Sequence, residues 1–454
     1  MTDRITSAEH FTLLSIVLDS ERFNKSLIMY TPSSPSPVAE FNIYEDITLP
    51  YLSGNIVFQD DNDVFRLANL SGTEKLTISY QLATGESEAI TKTFYITNIE
   101  SPVKTNDYTT LLKLNFIEDV GWYNNLIATS KSYDGKGESI IDTLISRDLG
   151  ANFTQLCIES HQTAFRYINP YLTPLDATKN ILAKMTTPNG LPYFLYSSIG
   201  ANSIVLKDME TILTTRPFNE GNPLTFSQAA TNEPTGSVMR QLSTIFNYEG
   251  GDLEDTLMLL QQGAVGSNYT NLNITTGLSD DQHVDATSII RSLIEQSIIK
   301  VGDGNPLIDL NFQADPSGND PRKLNEFDSR HYSQVSSNNF PWDPGLNSYS
   351  AETHFSDYSL RVVKNAMLAY LTKNIYTIYV PGMLFSTKTE TTSVGNQVEI
   401  RVLKNDPDIS SGAVDTRRSG NYIILAKRHL FNVIAGTHNV VLQVGRITNS
   451  QVVR

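Results

Sequence analysis

Apolar and polar positions alternate through roughly the first 118 residues. In KLTISY, Leu76, Ile78 and Tyr80 alternate with Lys75, Thr77 and Ser79, the period of a half-buried strand. HFTLLSIVL, AEFNIYEDI, GNIVFQD, ITKTFYITNI and YTTLLKLNFI read in the same way. SSPSP, LPYLSG, LANLSGT, ATGES and ESPVKTND separate them, clusters whose Gly, Pro, Asn and Asp residues favour turns. ATGES, flanked by two such strands, predicts a hairpin. About six strands with hardly any helical period predict a small antiparallel barrel or sandwich over residues 1–118.

The period then lengthens. GESIIDTLISRDLG (137–150) sets Ile140, Ile141, Leu144, Ile145 and Leu149 at helical spacing, with Ser139 as a cap and Gly150 where a C′ glycine belongs. PLDATKNILAKM (174–185) repeats the pattern behind Thr173 and Pro174. LPYFLYSSIG and SIVLKD read as a strand hairpin, so 119–213 is expected to be a mixed α+β unit. Residues 214–237 are polar and breaker-rich apart from PLTFS, and read as a crossover or linker that lends a strand to a later β-domain. DATSIIRSLIEQSIIK (285–300) is the clearest helix, capped by Asp285, its stripe running through Ile290, Leu293, Ile294 and Ile298. Residues 302–356 read as a long irregular stretch, a binding surface or a disordered segment. With a helix over 358–374 they make 238–374 a helical, loop-rich region. IYTIYV, VEIRVL, NYIILAKRHLF and NVVLQVGRI return to strands over 375–454. The expected class is α+β, mainly β, with two similar antiparallel β-barrels flanking a mixed α/β middle region.

Composition narrows the functions. At 454 residues the chain is long enough for two to four domains, and 40% hydrophobic with 18% charged residues describes an ordinary globular surface of low charge. A net charge of −15 argues against nucleic-acid binding, because the best basic clusters are only Arg417-Arg418 and Lys427-Arg428-His429. The single Cys157 excludes an internal disulfide and a Cys-based zinc site, and reads as a small buried hydrophobe. No apolar run is long enough to span a membrane, and FTLLSIVL, with Asp19 and Glu21 behind it, reads as a strand and not a signal peptide. The sequons at Asn24, Asn69, Asn152, Asn268 and Asn273 are therefore expected to be idle.

Candidate chemistry is thin. IYEDITLPYLSGNIVFQDD places Glu45, Asp46, Asp60 and Asp61 around two short apolar runs, and sugar hydrolysis needs two carboxylates across one cleft. Adjacent strand residues point to opposite faces, so Glu45 and Asp46 do not share a cleft. Glu45 has the parity of Ile43 and Ile47 and is expected where that face meets solvent or a neighbour. Asp60, Asp61, Asn62 and Asp63 read as a turn, with surface calcium as the alternative. His10, His161, His283, His331, His354, His429 and His438 show no metal-binding spacing, and GDGNP and DPSGNDPRK lack the carboxylate spacing of a calcium loop. No nucleophile elbow, phosphate loop or dinucleotide fingerprint follows a strand. The 21 Tyr residues fit strands and subunit interfaces as well as a sugar platform on loops 331–358. No catalytic, cofactor-binding or metal site is expected, and the chain reads as a non-enzyme.

Three phrases together resemble the central hub of contractile-phage baseplates, the family of the T-even tail hub protein. They are IYEDITLPYLSGNIVFQDDNDVF with SGTEKLTISY, INPYLTPLDATKNILAKM with NGLPYFLYSSIG, and YVPGMLF with RRSGNYIILAKRHLF. Their order covers about 1–213 and 375–454; region 231–372 matches less well and looks enlarged. The resemblance implies a homotrimer whose paired barrels form a pseudo-sixfold ring. One face would meet the hexameric tail tube and the other the trimeric central spike, with tape-measure protein and DNA on the axis and baseplate wedge proteins outside. It implies a virion component assembled in the host cytoplasm, and an anionic lumen would let DNA pass without binding. The alternatives are a carbohydrate- or receptor-binding tail protein using the 302–356 loops, and a peptidoglycan hydrolase with Glu295 or Glu326 as acid.

Overall fold

In a computed structural model, the alternation in KLTISY becomes a two-sided strand: Leu76, Ile78 and Tyr80 are fully buried while Lys75 faces solvent. The structure describes residues 8–20, 25–33, 37–61, 70–82, 89–100, 102–105, 108–157, 164–226, 242–250, 256–273, 279–299, 320–336, 355–373, 375–385, 390–404, 414–415 and 418–447. The ATGES turn, Asp63, His161, His354, Arg417, the sequons at Asn24 and Asn69 and most of loop 302–356 lie outside these residues.

The first part of the chain builds β1 (Phe11–Ser20), β2 (Lys25–Tyr30), β3 (Val38–Asp46), β4 (Ser53–Asp60), β5 (Lys75–Leu82), β6 (Ile90–Ile99), β7 (Val103–Lys104) and β8 (Thr110–Glu118). These pair in the order β3-β4-β8-β6-β5-β1-β2, with β7 on β8, and every pairing is antiparallel. Strands β2 and β7 were not legible as periodic segments: β2 follows a stretch of Glu, Arg and Lys, and β7 is two residues long. Gly54 is required in β4, because a Cβ there would fall 2.2 Å from Asn42 O.

The middle unit holds α1 (Asp119–Asn124), β9 (Ser132–Lys136), α2 (Gly137–Asp142), β10 (Phe153–Leu156), β11 (Ala164–Ile168), α3 (Pro174–Lys184), β12 (Tyr193–Tyr196), β13 (Ile204–Asp208) and α4 (Met209–Thr214). Helix α2 starts two residues before the expected Ser139 cap, with Lys136 in the cap position, and widens into a π-helical turn over Thr143–Leu149. That segment ends on Gly150 at φ 72°, in the left-handed region glycine tolerates. Thr173 caps α3 by accepting from Asp176 N, and Pro174 fills the first helical position. Strand β13 pairs antiparallel with β12 and parallel with β10. Ile140, Ile141, Leu144, Ile145, Ile181, Leu195 and Leu206 form this unit's core.

The rest comprises β14 (Leu224–Phe226), β15 (Thr244–Ile245), β16 (Asn247–Gly250), α5 (Thr256–Gln261), β17 (Gly266–Asn273), β18 (Ser279–Asp285), α6 (Ala286–Glu295), β19 (Arg330–Ser336), α7 (Phe355–Thr372), β20 (Tyr376–Pro381), β21 (Gln397–Arg401), β22 (Gly420–Asn432) and β23 (Thr437–Gly445). Asp285 caps α6 as expected, accepting from Thr287 N and Ser288 N, but the helix stops at Glu295 ahead of Ser297 at φ 61°. The region expected to be helical and irregular also carries a sheet, β18-β17-β19. Its segments GSNYTNLN and SDDQHVD are mostly polar, with Tyr269, Leu272 and Val284 too sparse to set an apolar period.

The chain is mainly β, but among the described residues no sheet closes into either of the two separate barrels expected. Instead β3 pairs with β22 over Glu40–Asp46, joining both ends of the chain in one 15-stranded sheet. Strand β1 approaches the start of β23 through the bridge His10↔Thr437, single hydrogen bonds such as His438 N to Glu9 O at 2.6 Å, and the edge-on rings of Phe11 and His438. Phe431 of β22 accordingly lies in the core of the first half, packed on Phe41 and Tyr80.

Candidate functional site: a buried ionic seam

Strand β22 is the shared element, and a bulge lets it serve two neighbours. Residues Gly420–Ile423 pair with β21, and from Ala426 onward the strand pairs with β3. The register shifts between Ile424 and Ala426, and Leu425 O accepts from Ile47 N at 2.9 Å where the partner changes. Beyond the bulge, Lys427, His429 and Phe431 share one face by parity, which Glu45, Ile43 and Phe41 meet directly across β3. Arg428 takes the opposite face, over the Tyr44 ring and bonded to Asn42 Oδ1 at 3.3 Å.

That inward face carries charge. Lys427 Nζ lies 2.9 Å from Glu45 Oε2, and His429 Nε2 lies 3.2 Å from Glu45 Oε1. Ile199 N, from the β12–β13 connection, donates to the same Oε1 at 3.2 Å. His429 Nδ1 is 3.1 Å from His438 Nε2, and the His438 ring stacks on Phe431 at 4.1 Å. One tautomer pattern satisfies the line: His429 Nε2–H donates to the carboxylate, and His438 Nε2–H donates to His429 Nδ1. A Cβ on Gly382 would stand 2.1 Å from His438 Nδ1, so that backbone seals the end of the line.

Burial sets the protonation states. Glu45, Lys427, His429 and His438 are at most 3% exposed. Burial alone would raise the Glu45 carboxyl, but the Lys427 charge and the His429 hydrogen bond more than offset it and bring it down to about 2. Burial, aided by the Lys427 charge, lowers His429 against the opposing pull of Glu45, and it holds His438 well below the usual histidine range. The resulting state is an ionised Glu45–Lys427 pair beside two neutral imidazoles. Carboxylate, imidazole and imidazole form a proton-relay geometry, yet the groups are closed to a substrate. What the cluster does is fix the register of β3 against β22 and tie both to the β12–β13 connection.

Of the two positions expected for Glu45, at solvent or at a neighbour, the structure has the second: it meets β22 and is 1% exposed. Parity put it on the right face, and the missing information was the partner strand, more than 380 residues away. The Lys427-Arg428-His429 cluster is likewise no basic edge, since only Arg428 faces outward. The signal was the alternation Lys427, His429, Phe431, which puts two polar groups in phase with an aromatic core residue.

The remaining candidates stay apart. Asp46 bonds Thr48 N and Thr48 Oγ1 at 2.7 and 2.6 Å, a strand-end turn on the face opposite Glu45. Asp60 ends β4 in a buried position, and Asp61 accepts from Gln59 Nε2 at 3.1 Å. His283 bonds Asp328 and Asn325 O on the surface, while His10 and His331 are exposed. Glu295 is exposed at the end of α6, and Glu326 accepts from Lys323 N at 3.2 Å. Cys157 is half-buried, its thiol pushed up by burial and by the charges of Asp208 and Glu138. Among the described residues, no group of three or more His, Cys, Asp or Glu is placed to hold a metal, and no helix is long and apolar enough to cross a membrane.

Solved structures share this fold. The tail protein from Neisseria meningitidis MC58 matches over 96% of this chain and 97% of its own, with a TM-score of 0.50 at 14% identity. The chain shares the fold of that tail protein. The 43 kDa tail protein of prophage MuSo2 from Shewanella oneidensis matches over 95% of this chain and 98% of its own, with a TM-score of 0.51 at 12% identity. No protein-family model matches the chain, and no curated protein does.

Proposed function

We propose that the chain is the structural hub of a contractile phage tail baseplate, a homotrimer whose two β halves alternate around a pseudo-sixfold ring. One face of the ring adapts the hexameric tail tube, and the other carries the trimeric central spike. Tape-measure protein and DNA pass along its axis, wedge proteins bind outside, and it acts in the virion after assembly in the host cytoplasm. The observation that carries this reading is a fold shared with two tail proteins along nearly the whole of each chain. The continuous sheet supports it, because a ring under axial load needs both β halves of each subunit held as one body. The net charge of −15 suits a lumen that repels DNA. Negative-stain electron microscopy of the purified protein tests it: ring-shaped particles with six-fold modulation are expected, and fields of single-chain particles would overturn it.

A further inference from the structure

A polar cleft of about 560 Å³ separates the first β half from the middle unit, within the size range of small-molecule sites. One wall is Thr91–Thr93 of β6. Over residues 90–93 this strand pairs with β5 alone, because β8 joins it only from Phe94 onward. Asn152, Asn202 and Ser203 line the opposite wall.

The floor is preorganised and its charge is balanced internally. Lys92 Nζ stands 3.8 Å from Glu118 Oε1 and donates to Ala201 O at 2.8 Å. Glu118 Oε2 accepts from Leu52 N and Ser197 Oγ, both at 3.0 Å. Asp119 adds a further carboxylate, which disfavours an anionic ligand. Asn152 Nδ2 donates to Asn202 O at 3.2 Å, which fixes the plane of that amide on the wall. At the rim, Tyr123 is 45% exposed, its ring held edge-on to Tyr95, which itself stacks on Trp122 at 5.4 Å. The Tyr95 and Tyr123 hydroxyls bond at 3.0 Å, so the rim ring is pre-set.

The held Asn152 amide, the Asn202 amide and a carboxylate present donors and acceptors, and a braced aromatic ring presents an apolar face. A pyranose ring has both complements: adjacent hydroxyls, and a C–H face. We propose that this cleft binds a neutral pyranose sugar, with Asn152, Asn202 and Asp119 bonding its hydroxyls and Tyr123 packing on its C–H face. This site is independent of the ring reading, and sugar binding and oligomeric state are measured separately.

The test is saturation-transfer NMR on the full chain with N,N′-diacetylchitobiose, maltose and, as the anionic control, glucuronate. Transfer to at least one neutral disaccharide is expected. Asn202→Ala and Tyr123→Ala, both at exposed positions, should each weaken it about tenfold, equal to about 1.4 kcal/mol. Tyr108→Ala, at an aromatic residue outside the cleft, should leave it unchanged. Unaltered thermal unfolding of the variants would show that their folds are intact. Transfer to no neutral sugar, transfer to glucuronate alone, or binding unmoved by both cleft variants would overturn the proposal. A strand-forming peptide that perturbs residues 90–93 while sugars do not would overturn it in favour of strand addition.

Discussion

Glu45 concentrates the physics of the seam in one carboxylate. Removing it strands Lys427 in a site at most 3% exposed, and a buried charge left without its partner costs about 3–5 kcal/mol. Glu45→Ala is therefore expected to lower stability by about that amount, measured by denaturant unfolding, whereas Glu45→Leu with Lys427→Met should recover part of the loss, since His429 and Ile199 N still lose their acceptor. Equal destabilisation by the single and double variants would contradict the pairing. The same groups set a pH dependence of definite sign. His429 and His438 are lowered, so below about pH 6.5 the unfolded chain binds more protons than the folded one. Glu45, lowered from 4.5 to about 2, adds a term of the same sign in that lower range. The cluster's contribution is complete above pH 6.5 and is lost progressively on acidification. Calorimetry should show the unfolding temperature falling between about pH 7 and pH 5; a flat profile would contradict burial of both histidines.

At the scale of elements, α7 grips the C-terminus of α3 with two cations, Arg361 Nε donating to Lys184 O at 3.4 Å and Lys364 reaching further. Lys364 Nζ donates to Leu182 O, Ala183 O and Met185 O at 2.9, 2.5 and 3.3 Å, closing the C-terminus of α3. Burial, and then the nearby Arg361 charge, lower its ammonium to about 8, still mostly charged at neutral pH. Lys364→Met keeps the aliphatic stem and deletes the three donors, so a loss of about 1–3 kcal/mol in thermal unfolding is expected. Elements with their own periodicity were legible: β1, β3 to β6 and β8, the Thr173-Pro174 start of α3, and the Asp285 cap of α6. Elements without it were not. Strands β17 and β18 are mostly polar along their length, with Tyr269 and Val284 among their few buried side chains, so their burial comes from packing against α7. The seam was half legible, because parity assigns faces but cannot say which strand pairs with which across hundreds of residues.

For the whole molecule, the consequence of the β3–β22 pairing is that strands from the first and last parts of the sequence share one sheet. Phe431 completes the core around Phe11, Phe41 and Tyr80, and Glu45 neutralises Lys427 from the opposite end of the sequence. Expected as two barrels, the β halves share that sheet, and among the described residues neither closes. The most direct measurement is the mass of the purified protein in solution, by light scattering across a range of concentrations or by native mass spectrometry. A baseplate hub predicts three chains per particle, persisting on dilution. A single chain at every concentration would contradict it.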